Sequence, residues 1–186
     1  NAVLISFASG DLILYKLEIS PATGKHKKLR VWKVDGYCVS MDCHKDATHI
    51  VALGFSNGDV RLLNIKTGKI FKDLLKGHTG RVHFLRFASK SKLWSSDMEG
   101  LKIWNGKTGE CTKNIITSTV TDIRMIGQDR FVATCGNRTL TVHEFPSGKR
   151  IKSLPVFDSV NQLLVLPTEA LSSEIQAKIP SEHALV

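Results

Sequence analysis

The chain has 186 residues, 42% hydrophobic and 23% charged, the balance of an ordinary soluble globular domain large enough for a core. No apolar run approaches the roughly 18–20 residues of a membrane span, so no membrane partner is expected. Its 26 Lys and Arg against 17 Asp and Glu, a net charge of +9, favour acidic partners or nucleic acid.

Four cysteines (Cys38, Cys43, Cys111 and Cys135) do not suggest a disulfide scaffold, which favours a reducing cytoplasmic or nuclear setting. From Asn1 the chain reads directly into a strand, with no basic-then-apolar leader, and looks cut from something longer. "VLISF", the turn "SGD", "LILYKL" and "ATGK" (Gly24) are followed by the basic "KHKKLR". The order recurs as "IVALGF", "SNGD", "VRLLNI", "KTGK" (Gly68), then "KLWSS", "MEG", "LKIWN", "KTGE" (Gly109), and "FVATC", "GNRT", "LTVHEF", "PSGK" (Gly148). The four glycines are 44, 41 and 39 residues apart. Short alternating runs broken by polar turns are strand–turn–strand units, and four strands in about 40 residues are the pattern of a β-propeller blade.

The expected architecture is therefore all-β, a partial propeller of about four blades over residues 1–166. It comprises three strands over Val3–Val34, full blades over Tyr37–Leu75, Val82–Ile116 and Val120–Leu154, and a fragment of a fifth over Val160–Leu166. Seven blades, at about 40 residues each, need about 280 residues. The chain then reads as a fragment or truncated isoform, or as one that closes with another chain. Residues 167–186 break the pattern: Ala170–Ile179 fits one short helix or a weakly ordered end.

Gly106-Lys107-Thr108 has the form of a phosphate-loop tail. That loop also requires a glycine five residues earlier, where Leu101 stands, and a long helix afterwards. The segment is expected to be the hairpin between the third and fourth strands of a blade.

"GHTGRVHFLRF" (Gly77–Phe87) followed by "KLWSSDMEGLKIWN" (Lys92–Asn105) resembles a WD40 repeat, and the resemblance extends more loosely over residues 1–166. Alignment on the tryptophan makes Tyr15, Leu63, Trp104 and His143 equivalent, and Asn64 and Asn105 stand where the family has Asp. The resemblance implies a hydrogen-bonded His–Ser/Thr–Asp–Trp tetrad inside each blade. His78, Ser96 and Trp104 match it, with Met98 at the Asp position and Glu99 beside it as a substitute. In the second repeat, Asn57 and Leu63 leave no tetrad. It also implies a peptide-docking face: Asp35, Lys76, Arg81, Thr119 and Asp158 between blades, and Asn57, Glu99 and Arg138 on turns.

Other constellations have plainer explanations. His78, Ser96 and Asp97 have the composition of a hydrolytic triad, but nothing suggests an oxyanion hole. Cys38, Cys43, His44 and His49 have a metal-like look. Their spacing is looser than zinc pairs use, and the two cysteines fall on opposite strand faces, so no metal or other cofactor is expected. Lys25, Lys27, Lys28, Arg30, Lys69, Lys107, Lys149 and Arg150 form a basic rim, either a phosphate-tracking surface or a solvated edge without interleaved aromatics. The expected function is non-catalytic, with no small-molecule substrate. The chain would be a scaffold or adaptor for proteins or peptides, including substrate recognition in a ubiquitin ligase of the F-box/WD-repeat type. The alternative is an RNA- or ribonucleoprotein-associated scaffold.

Overall fold

The computed structural model describes residues 2–17, 26–44, 49–75, 77–116, 120–127, 130–136, 138–145, 147–166 and 172. Lys25, Lys76, Thr119 and the expected helix at 170–179, apart from Ser172, lie outside these residues. The described residues are all-β, with no helix, in four antiparallel sheets.

The first sheet has three strands, β1 (Ala2–Ser6), β2 (Asp11–Leu17) and β3 (His26–Lys33). The second has four: β4 (Cys38–Cys43), β5 (Ile50–Phe55), β6 (Val60–Asn64) and β7 (Ile70–Leu75). The third comprises β8 (Phe84–Ser89), β9 (Lys92–Ser96), β10 (Gly100–Asn105) and β11 (Cys111–Ile116). The fourth comprises β12 (Asp122–Ile126), β13 (Phe131–Gly136), β14 (Thr139–Glu144) and β15 (Arg150–Pro155).

Each sheet is a meander, because consecutive strands are joined by connections short enough only for antiparallel neighbours. A register shift recurs where the third strand of a repeat meets the fourth, at Leu14/Tyr15, Val60/Leu62, Ile103/Trp104 and Val142/His143. A bulge of this kind adds local twist and re-aims the side chain beside it.

The chain divides into two compact units, Asn1–Val120 and Thr121–Val186. In the first, β5 packs both ways. Leu53 and Phe55 join Leu12, Trp32 and Leu63 in a core between the first and second sheets. Ala52 joins Val60, Leu85, Phe87 and Trp104 in another between the second and third. Strand alternation explains this: a sheet covered on both faces needs apolar residues at odd and even positions alike. Polar groups of β4 tie the second sheet to the third: Ser40 Oγ donates to Val82 O (2.8 Å), and Phe87 N donates to Asp42 Oδ2 (2.7 Å).

In the second unit the fourth sheet buries Ile123, Val132, Ala133 and Val142. The segment expected to begin a fifth blade, Val160–Leu166, carries no strand, since no second strand pairs with it among the described residues. It is held beside β12 by other bonds. Thr121 Oγ1 donates to Val160 O, Leu163 N donates to Asp122 Oδ2 (2.9 Å), and Arg124 Nε donates to Leu163 O (2.9 Å).

One turn fixes how closely neighbouring loops approach. Gly58 has φ +88°, and a Cβ there would lie 2.5 Å from His78 O, whereas a Cβ at Gly80 would meet nothing within 4 Å. Gly58→Ala is therefore expected to cost about 2 kcal/mol in chemical denaturation, from left-handed backbone strain and the clash, and Gly80→Ala less than about 0.5 kcal/mol.

Candidate functional site

A buried polar cluster lies where the β7–β8 connection meets β9 and β10. Trp104 on β10 is 1% exposed, and its Nε1–H donates to Ser95 Oγ (2.7 Å). Ser95 Oγ lies 2.5 Å from His78 Nε2, and His78 Nδ1 lies 2.9 Å from Asp97 Oδ2. His78 Nδ1 is within ion-pair distance of the carboxylate, and with the ring proton assigned to that side Nε2 accepts from the Ser95 hydroxyl, whose oxygen accepts from the indole. Asp97 accepts more than the imidazole bond. Thr79 N donates to Oδ2 (3.3 Å), and Glu99 N (3.0 Å) and Gly100 N (3.2 Å) donate to Oδ1. One carboxylate thereby joins the β7–β8 connection to the β9–β10 turn.

Two expected members are corrected. The serine is Ser95, not Ser96, and the acid is Asp97, not Met98 or Glu99, both of which are exposed on the turn. Strand parity is the reason. Ser95 pairs opposite Lys102 and Leu93 opposite Trp104, which puts Ser95 on the indole's face. Ser96 pairs opposite Leu101 and points the other way, where its buried hydroxyl has no hydrogen-bond partner.

The fourth sheet repeats part of this arrangement. His143 takes the Trp104 position, and its Nε2 lies 3.4 Å from Thr134 Oγ1. Both pairs are nine residues apart. Nine residues before the tryptophan position the repeats carry Ser6, Gly54, Ser95 and Thr134; eight before it, Phe7, Phe55, Ser96 and Cys135. The first position carries only Ser, Gly or Thr, whereas the second carries Phe in two of the four repeats, and that difference is the signal that picks out Ser95.

Burial pushes the His78 pKa below its ordinary 6.5, against the opposing pull of Asp97, so the ring is neutral at pH 7. Burial also pushes Asp97 upward. The His78 ring and the backbone N–H groups of Glu99 and Thr79 outweigh it and hold the carboxyl below 3.8.

The Gly106–Thr108 turn has its own partner. Lys107 N (3.0 Å) and Thr108 N (3.4 Å) donate to Asn105 Oδ1, and Lys66 N and Thr67 N donate likewise to Asn64 Oδ1. The N–H groups a phosphate would need are bonded by the asparagine of an Asx turn.

The expected docking residues fall on loop ends that touch in sequence. In the first unit Val34 N donates to Gly10 O, Ser56 N to Tyr37 O, and Thr79 N to Asp97 Oδ2. These bonds place the loops bearing Asp35, Asn57, Arg81 and Glu99 in one row, with all four side chains exposed. In the second unit Val156 N donates to Arg138 O, bringing Arg138 beside the loop with Asp158. Arg138 has φ 60°, the one non-glycine residue in the left-handed region among those described. The sequence reading missed three exposed apolar side chains on these loops: Tyr37 (43%), Met98 (59%) and Phe157 (105%). Of the basic rim, Lys27, Lys28, Arg30, Lys69, Lys107, Lys149 and Arg150 are exposed. Arg30 is partly engaged, donating to Thr67 O (3.2 Å) and lying over the Trp32 ring.

No family model matches the chain, and no curated protein gives a match. Among solved structures it is similar to the computationally designed Ika8 protein, at 20% identity and a TM-score of 0.64, over 86% of this chain. The likeness concerns the fold alone, and this chain spans 48% of that protein's length.

The geometry separates two adjacent serines. Ser95→Ala leaves the buried indole N–H without its acceptor and is expected to cost about 2 kcal/mol in urea denaturation, whereas Ser96→Ala stays within about 0.5 kcal/mol of the parent. The His78 shift fixes a pH dependence. A histidine depressed in the folded state contributes fully above its ordinary 6.5, and the contribution falls as pH drops below it. Stability is expected to decline as pH falls below about 6.5, by at most about 1.4 kcal/mol per pH unit from this group, a slope that His78→Asn removes.

Proposed function

We propose that this chain is a segment of a WD40-type β-propeller that docks other proteins or peptides as a non-catalytic scaffold or adaptor in the cytoplasm or nucleus. The repeated meanders and the His78–Ser95–Asp97–Trp104 network support the propeller reading. One observation carries the docking reading. The polar network is spent on internal bonds, and the loop ends it holds present exposed Met98 and Arg81; exposed Tyr37 lies on the connection held by Ser56 N, and in the second unit Phe157 and Arg138 are exposed on loops joined by Val156 N. Exposed aromatic and arginine side chains on rigidly held loops are the residue types that dominate protein–protein binding energy. Arginine adds a fork that fits a carboxylate.

The test is a tagged pull-down of the full chain from cell lysate, with and without nuclease, read by mass spectrometry. Partners are expected to survive nuclease and to weaken at least tenfold, about 1.4 kcal/mol, in an Arg81→Ala/Arg138→Ala variant. Ubiquitin-ligase subunits among them would favour the substrate-recognition form of the proposal. Partners lost to nuclease, or unaffected by the double substitution, would overturn it. Nuclease-sensitive, salt-dependent capture would instead make the rim around Lys27, Lys28 and Lys69 the working surface of a ribonucleoprotein scaffold.

A further inference from the structure

Three hydroxyl side chains follow an arginine by three residues, the spacing that arginine-directed protein kinases read: Ser89 after Arg86, Thr141 after Arg138 and Ser153 after Arg150. Such enzymes take their substrate as an extended segment and pair the arginine with carboxylates of their cleft. The fold separates the three. Between Arg86 and Ser89 lie Phe87 and Ala88, 8% and 6% exposed, and Asp42 Oδ1 holds Arg86 at 3.2 Å. Thr141 is half-buried on β14, which is bonded on both sides, by β13 and β15. Ser153 lies on β15, the outer strand of its sheet, and every residue of Arg150–Pro155 is exposed.

The exposure of Ser153 belongs to its place in the repeat. Thr141 stands two residues before His143 and Lys102 two before Trp104, and their partners on the outer strands are Ser153 and Asn114. In the third sheet, which packs against the second, Asn114 is exposed as well and accepts a bond from Lys102 Nζ (3.0 Å). Ser153 Oγ lies 3.1 Å from Thr141 Oγ1 in the corresponding exposed pair. A strand that buries none of its residues, and is bonded along one side among the described residues, opens locally at small cost. The register shift at Val142/His143 also interrupts its ladder beside Arg150. Lys149, Arg150 and Lys152, all exposed, put three positive charges just before the hydroxyl.

We propose that Ser153 is a phosphorylation site for an arginine-directed protein kinase, and that its phosphate offsets most of the positive charge of the rim beside it. Ser153 Oγ attacks the γ-phosphorus of ATP. The new O–P bond forms as the bond to the β-phosphate oxygen breaks, ADP leaves, and the hydroxyl proton passes to the base of the kinase and on to solvent. Arg150 supplies the recognition charge and β15 the extended segment. The phosphate brings about −1.5 to −2 charges at pH 7 against the three of Lys149, Arg150 and Lys152, and lowers the net charge of +9 to roughly +7.

The full, folded chain is incubated with Mg-ATP and the catalytic subunit of cyclic-AMP-dependent protein kinase, and intact mass and fragment spectra are read over time. The parent is expected to gain about 80 Da, one phosphate per chain, which the fragments place on Ser153. Ser153→Ala should abolish the gain, and Arg150→Ala should slow it at least about tenfold. On immobilised heparin the phosphorylated chain should elute at lower salt than the parent. A gain seen only after denaturation in urea, a phosphate on Ser89 or Thr141 instead, or an Arg150→Ala chain modified as fast as the parent overturns the site. Unchanged elution from heparin overturns the effect on the rim. Because the fragments locate the phosphate on the unaltered chain, the assignment is decided even where a variant fails to fold.

Discussion

Asp97 is the constraint on which the buried polar cluster depends, and with it the meeting of the β7–β8 connection and the β9–β10 turn. A carboxylate that is 1% exposed carries a large desolvation cost unless its lone pairs are occupied. Here they receive Nδ1 of His78 and the N–H groups of Thr79, Glu99 and Gly100. Those donors come from two segments distant in sequence, so satisfying the charge fixes the β7–β8 connection against the β9–β10 turn. With the imidazole anchored, Ser95 has an acceptor for its hydroxyl and Trp104 an acceptor for its indole. Trp104 can then fill the apolar space between the second and third sheets without stranding a buried N–H.

The other sheets reach order by simpler means. The second sheet places Gly54 and Leu63 where the third has Ser95 and Trp104, and Leu63 packs into the core shared with the first sheet. Its connection to the third sheet runs through Ser40 and Asp42 instead. The fourth sheet retains half of the network, with Thr134 and His143 replacing serine and tryptophan. A hydroxyl beside a ring nitrogen persists there, although the residue types differ. This is what the geometry demands: a ring carrying a polar edge, buried at that bulged position, needs a short polar neighbour on the adjacent strand.

The strands were legible because both their alternation and their punctuation are strong. Gly58 and Gly68, both at positive φ, close turns that the sequence marks with "SNGD" and "KTGK". Parity within a strand was harder. Two adjacent serines, Ser95 and Ser96, satisfy the same motif, and only the cross-strand pairing of Leu93 with Trp104 decides between them. The same one-residue slip carried the acid from Asp97 to Met98. Exposure was not legible at all for Tyr37, Met98 and Phe157. An apolar residue in a sequence is assigned to a core by default, and only the packing of neighbouring loops shows which ones have no core to enter. The absence of a strand at 160–166 has a similar cause. An apolar β-pattern states a preference, whereas a strand exists only with a partner to complete its ladder.

The Ser95–His78–Asp97 order of bonds is that of a hydrolytic triad, and comparing the two arrangements clarifies what this cluster does. A nucleophilic serine needs an oxygen open to a carbonyl carbon and a base free to take its proton. Ser95 is 0% exposed, and its oxygen already accepts the Trp104 indole proton at 2.7 Å. An attacking oxygen would have to surrender that bond and leave a buried N–H unsatisfied, at a cost of about 1–3 kcal/mol before any chemistry began. The same three side chains that drive acyl transfer when they line a cleft act as a clamp when a fourth residue closes it. What the clamp holds in place is the β7–β8 connection bearing Arg81 against the β9–β10 turn bearing Glu99. The loops bearing Asp35 and Asn57 are fixed instead by the backbone bonds of Gly10 and Tyr37.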